Sequence, residues 1–354
     1  MITNKNHEDK IGGDNMIKFI QYGCGKMSGY TTQYAKECGM ELVGAVDINP
    51  KVVGTTFYGV TVTHANDFEQ LIKKTNPDIV VVETMSLLSD VKDALLTCAA
   101  NGVNAITTCE EAFYPEVSNP VLTREIDTLA KENNCTITGS GYQDAFWGNL
   151  ITTLAGATHG IKKIKGSSSY NVEDYGIALA EVHGAGLPKE EFEQKIASAD
   201  KISAEERQEL INTGKYTPSY MWNVVPWIAD KMHLHLTSMT QKCIPLMHEE
   251  DIHSTTLEMT IPKGNATGMS AVVTGLTEEG ITIEAECIGK VYAPGEVDTN
   301  DWTVIGEPET RFVVTEPDTV KLTCATIVNR IPDVIKAEAG FVPTSRMGEL
   351  KTVR

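Results

Sequence analysis

The first stretch that could do chemistry is a glycine-rich turn. Gly23 and Gly25, followed by Lys26, Met27 and Ser28, lie between a predicted strand and a predicted helix. Gly23 permits a tight turn, Gly25 lets the backbone approach a pyrophosphate, and the helix N-terminus supplies amide donors. Ser28 stands where a third glycine is usual. The pattern predicts a dinucleotide-binding turn, and the alternative is an ordinary strand-to-helix turn.

Asp47 ends the next predicted strand. Its carboxylate can accept hydrogen bonds from both ribose hydroxyls and would repel a 2′-phosphate, which favours NAD over NADP. Asn49 and Lys51 lie close by and could accommodate a phosphate if Asp47 turned away, and Asp47 could also simply end its strand. Thr84, after a later strand, is a further candidate for contact with the cofactor. We therefore expect NAD or NADP, with NAD favoured.

A second stretch, residues 107–111, follows another predicted strand and ends in Glu110 and Glu111. Open α/β sheets place ligands at the carboxyl ends of their strands. A carboxylate beside an apolar cofactor ring has its ionised form disfavoured, which raises its pKa toward the range useful for proton transfer. Adjacent side chains of an extended segment point to different sides, so one can face the cofactor. A solvated pair in a loop is the alternative.

The third stretch, residues 139–149, combines glycines, aromatics, an amide and a carboxylate. Glycines near a strand end let the backbone approach a cofactor, so Gly141 and Tyr142 are candidates for cofactor contact. Phe146 and Trp147 could wall a compact apolar pocket together with Asn149. The alternative is a set of core aromatics at a domain junction.

Histidines contribute weaker candidates. His183 lies in a loop of small residues and is assigned to the substrate pocket with Tyr175. A second group has spacings that match no usual zinc site, so no metal is expected. Its members are His233, His235, Cys243, His248 and His253.

These stretches need a scaffold that brings strand ends together. Short β-rich runs at 17–22, 41–47, 78–83, 105–108 and 135–138 alternate with helical stretches, which is typical of parallel strands joined by crossover helices. The predicted fold class is α/β, with a Rossmann-type doubly wound parallel sheet. We expect a flexible extension over residues 1–15, with Met16 as an alternative start, and an NAD(P)-binding domain over 16–147.

The regular alternation of short strands and helices ends at residue 147, which predicts a second domain over 148–324. Ser203 and Glu206 have the spacing of a capping box. Ile283, Ala285 and Cys287 alternate with polar residues, which predicts a strand with one buried face. We expect an α+β domain with a mixed or antiparallel sheet, for substrate binding and dimerisation.

Composition restricts the partners. The 354 residues include 30 basic and 48 acidic side chains, a net charge of −18, which repels nucleic acid and anionic lipid. The longest aliphatic run, residues 79–82, is far shorter than the roughly 20 residues that cross a bilayer. Neither nucleic acid nor a membrane is expected as a partner. The eight cysteines form no C-x-x-C pair, which predicts reduced thiols and a cytoplasmic protein.

Together these features resemble a known family. From about Met16 to its end the chain is similar to 2,4-diaminopentanoate dehydrogenase and, more closely, to native NAD(P)-dependent amine dehydrogenases, which are akin to dihydrodipicolinate reductase and diaminopimelate dehydrogenase. The segments that carry the resemblance are Gly23-Cys24-Gly25-Lys26-Met27, Thr107-Thr108-Cys109-Glu110-Glu111, Gly141-Tyr142-Gln143-Asp144-Ala145-Phe146-Trp147-Gly148-Asn149 and Thr326-Ile327-Val328-Asn329-Arg330-Ile331-Pro332.

The resemblance implies an activity and roles for residues. The family interconverts an amine with a ketone or aldehyde plus ammonia and passes hydride to or from the nicotinamide. Its acid/base carboxylate falls best on Glu110, with Glu111 as the alternative, and an aromatic pocket wall falls on Trp147. The family fold also implies that residues 325–354 return to the first domain and that the protein is a homodimer.

Three rival functions are weighed against this one. Alcohol dehydrogenases of this fold plan usually present a lysine after the corresponding strand, whereas this chain has none there until Lys131. A diamino acid substrate would need an arginine or lysine in the pocket, and the acid-specific members carry a different segment at 142–149, which favours a simple amine. A non-catalytic NAD(P)-binding regulator would lack acid/base groups, but Glu110 and Glu111 are present.

Overall fold

An eight-stranded sheet organises the first half of the molecule in the computed structural model, which describes residues 16–353. Its strands run in the order β16-β7-β6-β5-β1-β2-β4-β3, and every pair is parallel except β3 with β4. The strands are β1 (Lys18–Tyr22), β2 (Glu41–Asp47), β3 (Thr56–Phe57), β4 (Val60–His64), β5 (Ile79–Val82), β6 (Asn104–Thr107), β7 (Thr136–Gly139) and β16 (Gly340–Phe341). All five predicted strands are present, with ends that differ by at most one residue.

Helices cover both faces of this sheet. They are α1 (Lys26–Glu37), α2 (Phe68–Thr75), α3 (Leu88–Ala100), α4 (Pro120–Glu132) and α11 (Thr319–Lys336). In β5, Val80 and Val82 pack in the core beneath α3, whereas Ile79 and Val81 pack in the core beneath α1 and α11. A strand buried on both faces must be apolar throughout, which explains its run of aliphatic residues. The predicted α/β fold with a doubly wound parallel sheet is confirmed.

A six-stranded mixed sheet organises the second half, in the order β15-β14-β8-β13-β12-β9. Only β13 and β8 pair in parallel. The strands are β8 (His159–Asn171), β9 (Leu236–Met247), β12 (Ala266–Thr277), β13 (Thr282–Lys290), β14 (Thr299–Glu307) and β15 (Thr310–Thr315). Ile283, Ala285 and Cys287 all lie on its buried face, as their alternation predicts.

Further helices and a hairpin come from residues 142–261. They are α5 (Tyr142–Asp144), α6 (Leu150–Gly156), α7 (Ile177–Val182), α8 (Lys189–Lys195), α9 (Ala204–Asn212), α10 (Met221–Lys231) and a hairpin of β10 (Ile252–Ser254) and β11 (Met259–Ile261). Helices α6 and α10 cover the buried face of the sheet. The capping box of Ser203 and Glu206 at the start of α9 is confirmed.

The end of the chain lies on the first sheet, because α11 packs against α1 and β16 pairs with β7. Helix α11 begins at Thr319, so the predicted boundary at residue 324 falls inside one helix. The division into domains stays a prediction, and the predicted extension of residues 1–15 lies outside the described residues. No helix within residues 16–353 has the length and apolar character to cross a membrane.

Candidate active site

A cleft of about 810 Å³ lies at the carboxyl ends of β1, β5 and β6 and reaches the second sheet. In a doubly wound sheet the ligand crevice forms where the strand order reverses, which here is between β1 and β5. The predicted site residues that line it are Gly25, Lys26, Met27, Ser28, Thr84, Glu110, Tyr142, Trp147 and Tyr175. Those that do not are Gly23, Asp47, Asn49, Glu111, Gly141, Phe146, Asn149 and His183.

The two glycines of the turn serve different purposes. Gly23 has a φ of +94°, and a Cβ there would lie 2.3 Å from the carbonyl oxygen of Glu83. Gly25 begins α1 without a side-chain cap, and a Cβ there would meet nothing within 4 Å. The hydroxyl of Ser28 donates to the carbonyl of Gly25 (2.8 Å), so a small residue fits the third position. Uncapped helix amides facing open space suit the pyrophosphate of a dinucleotide.

Asp47 lies beside this turn with its carboxylate held in place. One oxygen accepts from the backbone N–H of Cys24 (2.9 Å) and the other from the N–H of Asn49 (2.7 Å). The side chain of Asn49 in turn accepts from the N–H of Lys51 (3.0 Å). These bonds oppose the movement by which Asp47 would turn away to admit a phosphate.

Glu110 and Glu111 point to different places. Glu110 lines the cleft, and burial raises the pKa of its carboxyl group, although a hydrogen bond with Ser86 opposes this. Glu111 is 7% exposed and accepts from the N–H of Leu88 (2.7 Å), at the start of α3, and from the hydroxyl of Ser118 (2.7 Å). A carboxylate at a helix N-terminus satisfies free amides and the helix dipole. Of the two candidates, only Glu110 is therefore available to a ligand in the cleft.

The aromatic run after β7 divides between cleft and interior. Tyr142 and Trp147 line the cleft, and their rings meet edge to face at 5.8 Å. Phe146, predicted to line the pocket, instead stacks on Tyr142 at 4.4 Å, outside the cleft lining. Asn149 is also absent from the lining, because its amide donates to the carbonyl and the carboxylate of Asp144 (both 2.8 Å). The short π-helix Ala145–Asn149 turns these neighbours to different sides.

His183 contacts two residues that line the cleft, Tyr170 and Leu179. The histidine is buried, and its Nδ1 lies 2.7 Å from the carbonyl of Leu179. Because a carbonyl only accepts, Nδ1 carries the proton and Nε2 accepts from the hydroxyl of Tyr170 (2.6 Å). Burial lowers the pKa of His183, which favours the neutral ring. Tyr175, by contrast, is 55% exposed at the rim of the cleft.

Several residues that line the cleft were not predicted from the sequence. Tyr170 and Tyr220 come from distant segments and carry no local signal, and burial together with the charge of Glu110 raises the pKa of Tyr220 to about 12. Thr319 and Thr323 line the cleft because α11 begins there. Glu83 could have been predicted from the sequence, because it is an acidic residue that follows an aliphatic strand at the ligand edge of the sheet.

Family models and a relative of known activity match most of the chain. The family model for the 2,4-diaminopentanoate dehydrogenase C-terminal domain matches residues 147–353, and one for a CoA binding domain matches residues 14–111. The chain is 26% identical to 2,4-diaminopentanoate dehydrogenase of Acetoanaerobium sticklandii, over 95% of this chain and 96% of that protein.

Solved structures extend this agreement. The amine dehydrogenase from Mycobacterium smegmatis superposes with a TM-score of 0.78 at 33% identity, over 98% of both chains. The myo-inositol 2-dehydrogenase from Lactobacillus plantarum shares the fold, with a TM-score of 0.55 at 12% identity over 91% and 90% of the chains. The fold and the cleft define an NAD(P)-dependent dehydrogenase. The chain belongs to the 2,4-diaminopentanoate dehydrogenase family, so the predicted resemblance is confirmed.

Proposed function

We propose that this protein is an NAD(P)-dependent amine dehydrogenase that interconverts a small primary amine with a ketone or aldehyde plus ammonia. The observation that carries the proposal is the carboxyl group of Glu110, half-buried in the cleft that begins at the glycine turn. Family membership and the likeness to the amine dehydrogenase from Mycobacterium smegmatis support the same chemistry.

Residues around the turn would hold the cofactor. The free amides after Gly25 suit the pyrophosphate, Asp47 suits the ribose hydroxyls, and Thr84 and Tyr142 border the space beyond. The fixed carboxylate of Asp47 favours NAD. When bound, the nicotinamide accepts or supplies the hydride at the carbon that bears nitrogen.

Glu110 would carry the protons. In the direction of amine synthesis its carboxylate binds ammonium and removes a proton, so that neutral ammonia attacks the carbonyl carbon. A proton of the added nitrogen passes to the former carbonyl oxygen, which becomes a hydroxyl. The protonated Glu110 then gives its own proton to that hydroxyl, which leaves as water. The carboxylate that remains stabilises the iminium cation next to it. A raised pKa suits both steps, because the group must accept and release a proton near neutral pH.

The charges of the cleft favour a simple amine over a diamino acid. Among its lining residues in the described chain, Lys26 is the one lysine or arginine, and it lies at the glycine turn. The region around Glu110, Tyr170 and Tyr220 therefore offers no cation to a substrate carboxylate. A buried carboxylate without a partner is strongly disfavoured, so 2,4-diaminopentanoate is the second candidate.

We also propose a cytoplasmic homodimer. The face of the six-stranded sheet opposite α6 and α10 exposes Ile244, Leu276 and Val313, which suits an interface with a second copy. The cysteines are free thiols, which supports a reducing compartment. Light scattering of the purified protein measures the assembly.

A substrate screen tests the proposed function. Small ketones and aldehydes with excess ammonium, and 2,4-diaminopentanoate in the reverse direction, are assayed with each cofactor by absorbance of the reduced form. We expect turnover of small ketones or aldehydes, faster with NADH than with NADPH. Glu110→Gln should lower kcat roughly 100- to 10,000-fold, whereas the control Glu111→Gln should lower stability more than kcat. Failure of every substrate, or full activity of Glu110→Gln, would contradict the proposal.

A further inference from the structure

Glu83 places a second carboxyl group next to the glycine turn. The residue follows β5, and its side chain accepts from the hydroxyl of Thr31 on α1 (2.7 Å) and from the amide of Gln21 on β1 (2.9 Å). The amide of Gln21 also donates to the carbonyl of Gly23 (3.2 Å). Glu83 itself lines the cleft. The carboxyl group thus lies behind the turn whose front faces the ligand space.

Within residues 16–353, no cation compensates the charge of Glu83. Its neighbours on β1 and α1, Gln21 and Thr31, are neutral, and α11 presents the thiol of Cys324, whose pKa burial raises to about 11. The cation that lines the same cleft is Lys26, which is exposed. Burial raises the pKa of Glu83 to about 7, although its two hydrogen bonds oppose this. The group therefore titrates in the physiological range.

We propose that Glu83 is a proton-binding residue coupled to the cofactor site: where the free carboxyl group is ionised, it takes up a proton from solvent when a dinucleotide binds. Phosphates on the N-terminus of α1 bring negative charge close to a carboxylate without a cationic partner. Like charges in a site of low dielectric constant disfavour the ionised form. The proton stays on the carboxyl oxygen while the ligand is bound, and no bond of the ligand changes. This inference rests on the dinucleotide-binding part of the proposed function.

The sign of the coupling follows from linkage. At pH values below the pKa of free Glu83, the group is neutral with and without ligand, and affinity is highest. As pH rises through that pKa, the free protein loses the proton and binding must restore it. Affinity then falls by up to about tenfold per pH unit, until the pKa of the complex is passed.

Direct binding measurements test this coupling without any substrate. Wild-type protein is titrated with NADH by fluorescence from about pH 6 to about pH 9. Calorimetry in HEPES and in Tris counts protons from the difference in buffer ionisation enthalpy. We expect the Kd to rise roughly tenfold or more over this range, with nearly one proton taken up at about pH 8. Glu83→Gln should take up about one proton fewer than wild type at about pH 8, and its Kd for NADH should change less with pH.

Two further variants separate Glu83 from other groups. Thr31→Val removes a donor that favours the carboxylate, so the fall in affinity should move to higher pH. Glu110→Gln removes only the proton that Glu110 itself takes up beside the nicotinamide, so the uptake that Glu83→Gln abolishes should remain in this variant. A wild-type Kd that does not change with pH, an uptake in Glu83→Gln equal to that of wild type, or complete loss of uptake in Glu110→Gln would overturn the inference. Absence of NADH binding would overturn both proposals, whereas coupled binding without amine turnover would overturn only the proposed amine chemistry.

Discussion

Arg330 of α11 and Asp144 of α5 form a fully buried ion pair. The guanidinium donates to both carboxylate oxygens (2.9 and 3.1 Å), and each side chain is 0% exposed. Asp144 also accepts from Ser140 and Asn149 (both 2.8 Å), and Arg330 donates to the carbonyl of Gly348 (2.7 Å). Every charge is therefore hydrogen-bonded. The pair joins the end of the chain to the segment that carries the aromatic wall of the cleft.

Breaking this pair should destabilise the protein strongly. Arg330→Leu leaves the carboxylate of Asp144 buried without its cation, which typically costs about 3–5 kcal/mol of unfolding free energy. Urea denaturation measures the loss. Lys73→Leu is the control, because it breaks an exposed pair with Glu69 on α2 and should change stability little. Equal, small losses for both variants would contradict the role of the buried pair.

Substitution of Gly25 should affect cofactor binding, whereas substitution of Gly23 should affect the stability of the fold. Gly25→Ala adds a methyl group to the ligand space at an ordinary φ of −80°, so it should weaken NADH binding at least about tenfold while leaving thermal stability unchanged. Gly23→Ala forces a Cβ against Glu83 at a positive φ and should destabilise the fold itself. Thermal melts and NADH titrations of both variants distinguish the two effects. Loss of stability in Gly25→Ala would contradict the assignment of that space to the cofactor.

Asp47 should determine the choice between the two cofactors. Hydrogen bonds to a charged group contribute about 1.5–3 kcal/mol, so Asp47→Ser should lower kcat/KM for NADH roughly 10- to 100-fold and lower it much less for NADPH. Asn49→Ala is the matched control, because Asp47 uses only the backbone N–H of Asn49. Initial rates with both cofactors give the ratio. An unchanged preference in Asp47→Ser would contradict this role.

Ionisation of the buried carboxyl group of Glu110 should lower the free energy of unfolding at neutral pH. Burial raises its pKa in the folded state above the value of the unfolded chain, so the folded state binds the proton more tightly. Stability contributed in this way is complete below the unfolded pKa and falls as pH rises toward the folded pKa. Glu110→Gln should therefore be more stable than wild type at neutral pH and similar to it at about pH 4. Urea unfolding at both pH values measures this, and a less stable variant at neutral pH would contradict it.

Local sequence patterns were sufficient to predict the parallel sheet and the glycine turn at one end of the cleft. Aliphatic runs identify strands buried on both faces, and the spacing of Gly23 and Gly25 identifies a turn that exposes helix amides, because both depend on neighbours in sequence. The strand ends agree within one residue, and the family follows from short motifs.

Only the tertiary structure distinguished residues that are equivalent in sequence. Glu111 lies outside the cleft because it accepts a hydrogen bond from a free amide of α3, and Phe146 lies outside it because its ring stacks on Tyr142. Tyr170 reaches the cleft because the second sheet meets the first there, and Arg330 finds Asp144 because α11 returns across the first half. These outcomes depend on hydrogen-bond partners and packing surfaces from distant segments, which no spacing within one segment encodes.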